Sequence, residues 1–118
     1  MTGTAILIVG SSIIRNARLM QAISEIAEVV IAGQGSRLVN TVQNMAELRL
    51  VLLSSDKPLI LENQLRLLKE YCPRVPVVFI GNRELLPTAF AFDVRDAFPN
   101  PINQKLLIER IEALLRGY

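Results

Sequence analysis

The chain has 118 residues, 51% of them hydrophobic and 20% charged, with 13 basic and 11 acidic side chains and a net charge of +2. That length buries a core without staples, that hydrophobicity argues against disorder, and the lone cysteine, Cys72, excludes an internal disulfide and suits a reducing cytoplasm. No segment approaches the ~20 apolar residues of a membrane span, Met1-Thr2-Gly3-Thr4 lacks the positive charge of a secretory leader, and the scattered basic residues do not form the patch that direct nucleic-acid binding needs.

Two periods alternate along the chain. Ala5–Val9 reads as a strand buried on both faces and broken by Gly10. Ser11 or Ser12 is placed to cap a helix whose face is Ile13, Ala17, Met20 and Ile23. Val29–Ala32 is the second strand, stopped by Gly33-Gln34-Gly35, and Ser36 begins a second helix with Leu38, Val39, Val42 and Met45 on its apolar side. Leu50–Leu53 is a third strand that ends in Ser54-Ser55-Asp56-Lys57-Pro58, because proline lacks an N–H and biases Lys57 away from helix.

Beyond Pro58, the residues Ile60, Leu61, Gln64, Leu65 and Leu68 mark a third helix that ends near Tyr71-Cys72-Pro73. Val75–Ile80 is the fourth strand, with Gly81-Asn82 as its turn. Glu84–Phe92 predicts a short or displaced fourth helix, since Pro87 fits only a first turn. Asp93–Phe98 is a brief fifth strand, and Asn103 caps a last helix with the face Leu107, Ile108, Ile111, Leu114 and Leu115. Successive strand–helix units with short connections predict a parallel five-stranded sheet with helices on both faces and strand order 2-1-3-4-5, over one domain spanning residues 1–118.

Over essentially its whole length the chain resembles the receiver domain of bacterial two-component response regulators. The resemblance rests on Ile6-Leu7-Ile8-Val9 as first strand, Leu50-Val51-Leu52-Leu53 as third with Pro58 four residues past the phospho-acceptor position, Val75-Pro76-Val77-Val78 as fourth, and Phe98-Pro99-Asn100-Pro101 where the family has lysine followed by proline. It implies a flavodoxin-like (βα)5 three-layer sandwich and a cis Asn100-Pro101 bond. The working positions are all replaced: the acidic pair that holds Mg²⁺ falls on Gly10 and Ser11, the phospho-acceptor aspartate on Ser54, the switch hydroxyl on Gly81, the aromatic switch on Ala97 and the lysine on Asn100.

Forming an acyl phosphate needs a carboxylate nucleophile and a divalent cation, and Mg²⁺ wants carboxylate ligands. Neither is supplied at these positions, so the expectation is a pseudo-receiver: no enzyme, no metal, no cofactor, and regulation by protein–protein contact. Asp56 reads as a solvated loop residue rather than a surrogate acceptor, and Gly10-Ser11-Ser12 as a turn with a cap rather than an anion cradle. Cys72 reads as a packed thiol, and Ser54-Ser55 has no base to form a triad, as the chain contains no histidine.

In the resembled family the surface of the fourth helix, fifth strand and last helix carries dimerisation and output. Here Leu85, Leu86, Phe90, Phe92 and Leu106 exceed what those elements need for burial, which suggests a homodimer or partner-protein interface. By the same analogy the chain suits the N-terminal regulatory domain of a transcription regulator. Two alternatives stay open: a small-ligand or nucleotide sensor in a roomy, uncharged pocket above Gly10, Ser54 and Gly81, and a receiver phosphorylated at Asp56.

Overall fold

Why the apolar runs are continuous is visible in the layering of the computed structural model, which describes residues 5–33 and 35–117. Five strands, β1 (Ala5–Val9), β2 (Glu28–Ala32), β3 (Leu48–Ser54), β4 (Val77–Gly81) and β5 (Asp96–Pro99), form one sheet of order β2-β1-β3-β4-β5. All its pairings are parallel. Among the described residues six α-helices flank it, α1 (Ser11–Ile14), α2 (Ala17–Ser24), α3 (Ser36–Gln43), α4 (Pro58–Tyr71), α5 (Leu86–Ala91) and α6 (Gln104–Leu115), with a 3-10 turn at Arg83–Leu85 leading into α5.

Side chains alternate along each central strand and so divide between two cores. Ile6, Ile8, Leu50, Leu52, Val78 and Ile80 pack under α1, α2 and α6. Leu7, Val9, Val51, Leu53 and Phe79 pack under α3, α4 and α5. With helices on both faces the middle of a central strand is apolar on either side, which is why β1 and the Leu50–Leu53 stretch of β3 read as unbroken aliphatic runs, with Arg49 and Ser54 at its two ends. The expected architecture and strand order are those observed. Met1–Thr4, Gln34 and Tyr118, on which the sequence reading also drew, lie outside the described residues.

Boundaries moved for local reasons. The single helix expected after β1 is two: Asn16 Oδ1 accepts the Leu19 N–H at 3.1 Å and starts α2 afresh. That restart rotates the stripe, burying Ile13, Leu19 and Ile23 while Ala17 is exposed. Nor does Ser11 or Ser12 cap α1, whose N-cap is Gly10 with no side-chain hydrogen bond. β4 begins at Val77 instead of Val75, since Pro76 has no N–H to give and contributes only its carbonyl, to Val51 N at 3.0 Å. β5 begins at Asp96 because Asp93 (φ 63) closes α5 in the left-handed region and Val94 drops into the core. α5 is short, with Pro87 in its first turn, and Asn103 Oδ1 caps α6 through Leu106 N at 3.2 Å, both as expected. No described helix is long and apolar enough to cross a membrane.

Candidate functional site

The carboxyl ends of β1, β3 and β4 converge on a cleft of about 290 Å³. Of the positions singled out by sequence, Ser11, Ser54, Gly81 and Asn100 line it together. Ser54 is only 6% exposed, and its hydroxyl is engaged by the Ser12 hydroxyl, which ties the end of β3 to the first turn of α1. Asn100 N donates to Gly81 O at 2.9 Å, and the Asn100-Pro101 bond that follows is cis. Ala97 does not reach the cleft: it pairs with Phe79 in the sheet and packs half-buried against the α3–α4–α5 core.

Two glycines are fitted rather than merely small. Gly10 has φ 126 and ψ 130, and a Cβ there would lie 2.3 Å from Ser54 O. A Cβ on Gly81 would lie 2.5 Å from Phe79 Cζ, so the buried ring of Phe79 fills the space beside it. The cleft is therefore tighter below than the row of small residues suggests.

It is also not uncharged. Asp56 lines it, as does Arg15, which sequence reasoning missed. The signal was available, because Arg15 follows Ser11 by one helical turn and its N–H bonds Ser11 O at 2.9 Å. Asp56 itself is exposed in the loop, in line with a solvated residue.

No family model matches the sequence, and no curated protein matches it. Solved structures do. The receiver domain of NtrX from Brucella abortus superposes with a TM-score of 0.78 at 22% identity, covering 96% of this chain and 99% of that one. A chemotaxis response regulator of Vibrio cholerae gives 0.76 at 15% identity, over 96% and 99%. A longer NtrX chain from Brucella abortus, determined in complex with ATP, gives 0.77 at 24% identity; 98% of this chain is covered but only 27% of that one. The fold is that of a receiver domain.

Within that receiver fold, Mg²⁺ does not fit the residues present. The ion is held through hard oxygens, with one or two carboxylates as a rule. Gly10 and Ser11 offer none, Asp56 is the only carboxylate lining the cleft, and the described residues contain no cluster of three or more metal-ligating side chains.

The expected interface residues separate. Leu85 is 6% exposed and belongs to the core, so it is withdrawn from that surface. Leu86 and Phe92 are half-buried against the same core, Phe92 with the Arg66 guanidinium 5.6 Å from its ring centre. The proline-bent segment tucks these three inward and leaves Phe90 out, 51% exposed, while Leu106 on α6 is 53% exposed. Leu59, 81% exposed on the first turn of α4, was not foreseen. Cys72 packs half-buried against the core, and burial pushes its thiol pKa up.

Proposed function

We propose that the chain is a pseudo-receiver: a non-enzymatic, cytoplasmic regulatory module that has lost aspartyl phosphorylation and acts through protein–protein contact, binding neither nucleic acid nor membrane directly. The observation that carries this reading is the closed contact between Gly10 and Ser54, which leaves no room for a side chain at Gly10, one of the two positions matched to a receiver's metal-holding acids. The occupied hydroxyl of Ser54 and the ring of Phe79 beside Gly81 support it, since neither an acceptor carboxylate nor a switch hydroxyl stands at these places. Phe90 and Leu106 support contact through the surface formed by α5, β5 and α6, with a second copy of the chain or another protein. The module would serve as an N-terminal regulatory domain of a transcription regulator.

The test is incubation with a small phosphodonor and Mg²⁺ followed by intact mass measurement. An unchanged mass is expected. A single phosphoryl addition that disappears in Asp56→Asn would replace this reading with a receiver that uses Asp56. The cleft of about 290 Å³ favours a second reading, a small-ligand sensor, and a clear rise in melting temperature with a nucleotide that is lost in Arg15→Ala would select it.

A further inference from the structure

At the opposite pole, where the strands begin, three arginines meet. Arg49, Arg74 and Arg95 line one cleft of about 380 Å³, and among the described residues no acidic side chain lines it. The sheet brings them together from distant parts of the sequence. Arg49 lies at a register shift in β3, with Ala5 opposite Leu48 and Ile6 opposite Leu50, so it has no partner on β1. Such a bulge re-aims a side chain away from the regular pleat. Arg95 stands directly before β5, held by its N–H on Val77 O at 2.8 Å, and Arg74 sits in the loop that feeds β4.

Among the described residues none of the three forms an ion pair. The nearby Asp93, which lines an adjoining cleft with Arg74 and Arg95, is already engaged by Lys69 at 2.9 Å. Arg49 Nη2 reaches Leu115 O at 3.4 Å, which offsets the negative end of α6 and leaves Arg74 and Arg95 free of internal partners among the described residues. The rest of the wall is apolar, from Leu48, Val75, Pro76 and Leu114.

We propose that this cleft binds a small organic phosphate, with Arg49, Arg74 and Arg95 holding the phosphoryl oxygens and Leu48, Val75, Pro76 and Leu114 receiving an apolar body. A guanidinium presents a planar fork that matches two oxygens of an anion. A single carboxylate, with one charge and two oxygens, is satisfied by one such fork, whereas three arginines lining one cleft suit the charge of a phosphate or diphosphate. Apolar walls strengthen those contacts by excluding water, and they give an attached ring or chain somewhere to sit. The proposal stands independently of phosphorylation at the other pole.

The experiment titrates inorganic pyrophosphate and adenosine diphosphate into the full chain at low salt, by calorimetry and by amide chemical shifts. Saturable binding of both is expected, tighter for the nucleotide, with shifts at Leu48–Leu50, Val75 and Gly117. Combined Arg49→Gln, Arg74→Gln and Arg95→Gln should weaken binding by about tenfold or more, since all three charge-assisted contacts are removed. The charge-matched combination Arg18→Gln, Arg37→Gln and Arg83→Gln, outside the cleft, should leave it nearly unchanged. The shifts need no variant, so a misfolded triple variant does not spare the proposal. No saturation, shifts confined to the Ser54 cleft, or equal loss in the charge-matched control would overturn it. Equal affinity for pyrophosphate and the nucleotide would remove the apolar subsite, and tighter binding of a glutamate-rich peptide would replace the phosphate.

Discussion

Gly10 leaves β1 with φ 126 and ψ 130, a region almost reserved for glycine, and faces the backbone of Ser54 across a gap too small for a methyl group. Placing an acid at this position by Gly10→Asp therefore combines backbone strain with a backbone clash. The expected cost is about 3 kcal/mol or more, read by chemical denaturation, with no Mg²⁺-dependent rise in melting temperature. An unperturbed variant that gains Mg²⁺ binding would refute the closed contact. Gly81 is crowded differently, by a side chain, and Phe79 is fully buried. Gly81→Thr should destabilise, and Phe79→Val should relieve part of that loss. A double-mutant cycle is expected to give a favourable coupling of about 1 kcal/mol or more, and additive effects would show that the ring does not occupy the switch position. The sequence displays the two glycines but not what fills the space beside them.

At the scale of elements, the strands were legible and the helices only in part. A strand covered on both faces announces itself as an aliphatic run, so β1 was read to the residue. The segment after it was not, because Asn16 competes for the backbone of a helix that periodicity alone would continue. α4 was read correctly, including Gln64 on its inward face, but its sequence does not say that Gln64 is 3% exposed with Oε1 lacking any partner among the described residues. A buried acceptor without a donor carries its desolvation cost unrelieved. Gln64→Leu is accordingly expected to stabilise the fold by about 1 kcal/mol, seen as a higher urea midpoint with unchanged slope. A lower midpoint would mean that Gln64 is satisfied in solution, for example by water.

For the molecule as a whole, the arrangement sets two poles and one flank against each other: a hydroxyl-lined cleft where strands end, an arginine-lined cleft where they begin, and exposed Phe90 and Leu106 on helices that cover opposite faces of the sheet. If the flank joins two copies, Phe90→Asp should shift a dimer toward monomer in size exclusion with light scattering, weakening association by about tenfold or more with little change in stability. A wild-type chain that stays monomeric at high concentration would remove self-association. Residue types in order were enough to establish the parallel sheet and its strand order, and to show that Gly10, Ser11 and Ser54 carry no carboxylate, because the middle of a strand covered on both faces is apolar and the side chain at each position is written in the sequence. The emptiness imagined around the small residues, and the surface imagined for Leu85, were decided only by packing. Whether a Cβ has room, or a leucine meets water, depends on atoms distant in the sequence: Ser54 against Gly10, and the inward face of α4 against Leu85. The meeting of Arg49, Arg74 and Arg95 likewise belongs to the tertiary structure, since only the parallel sheet and its bulge bring those three side chains to one pole.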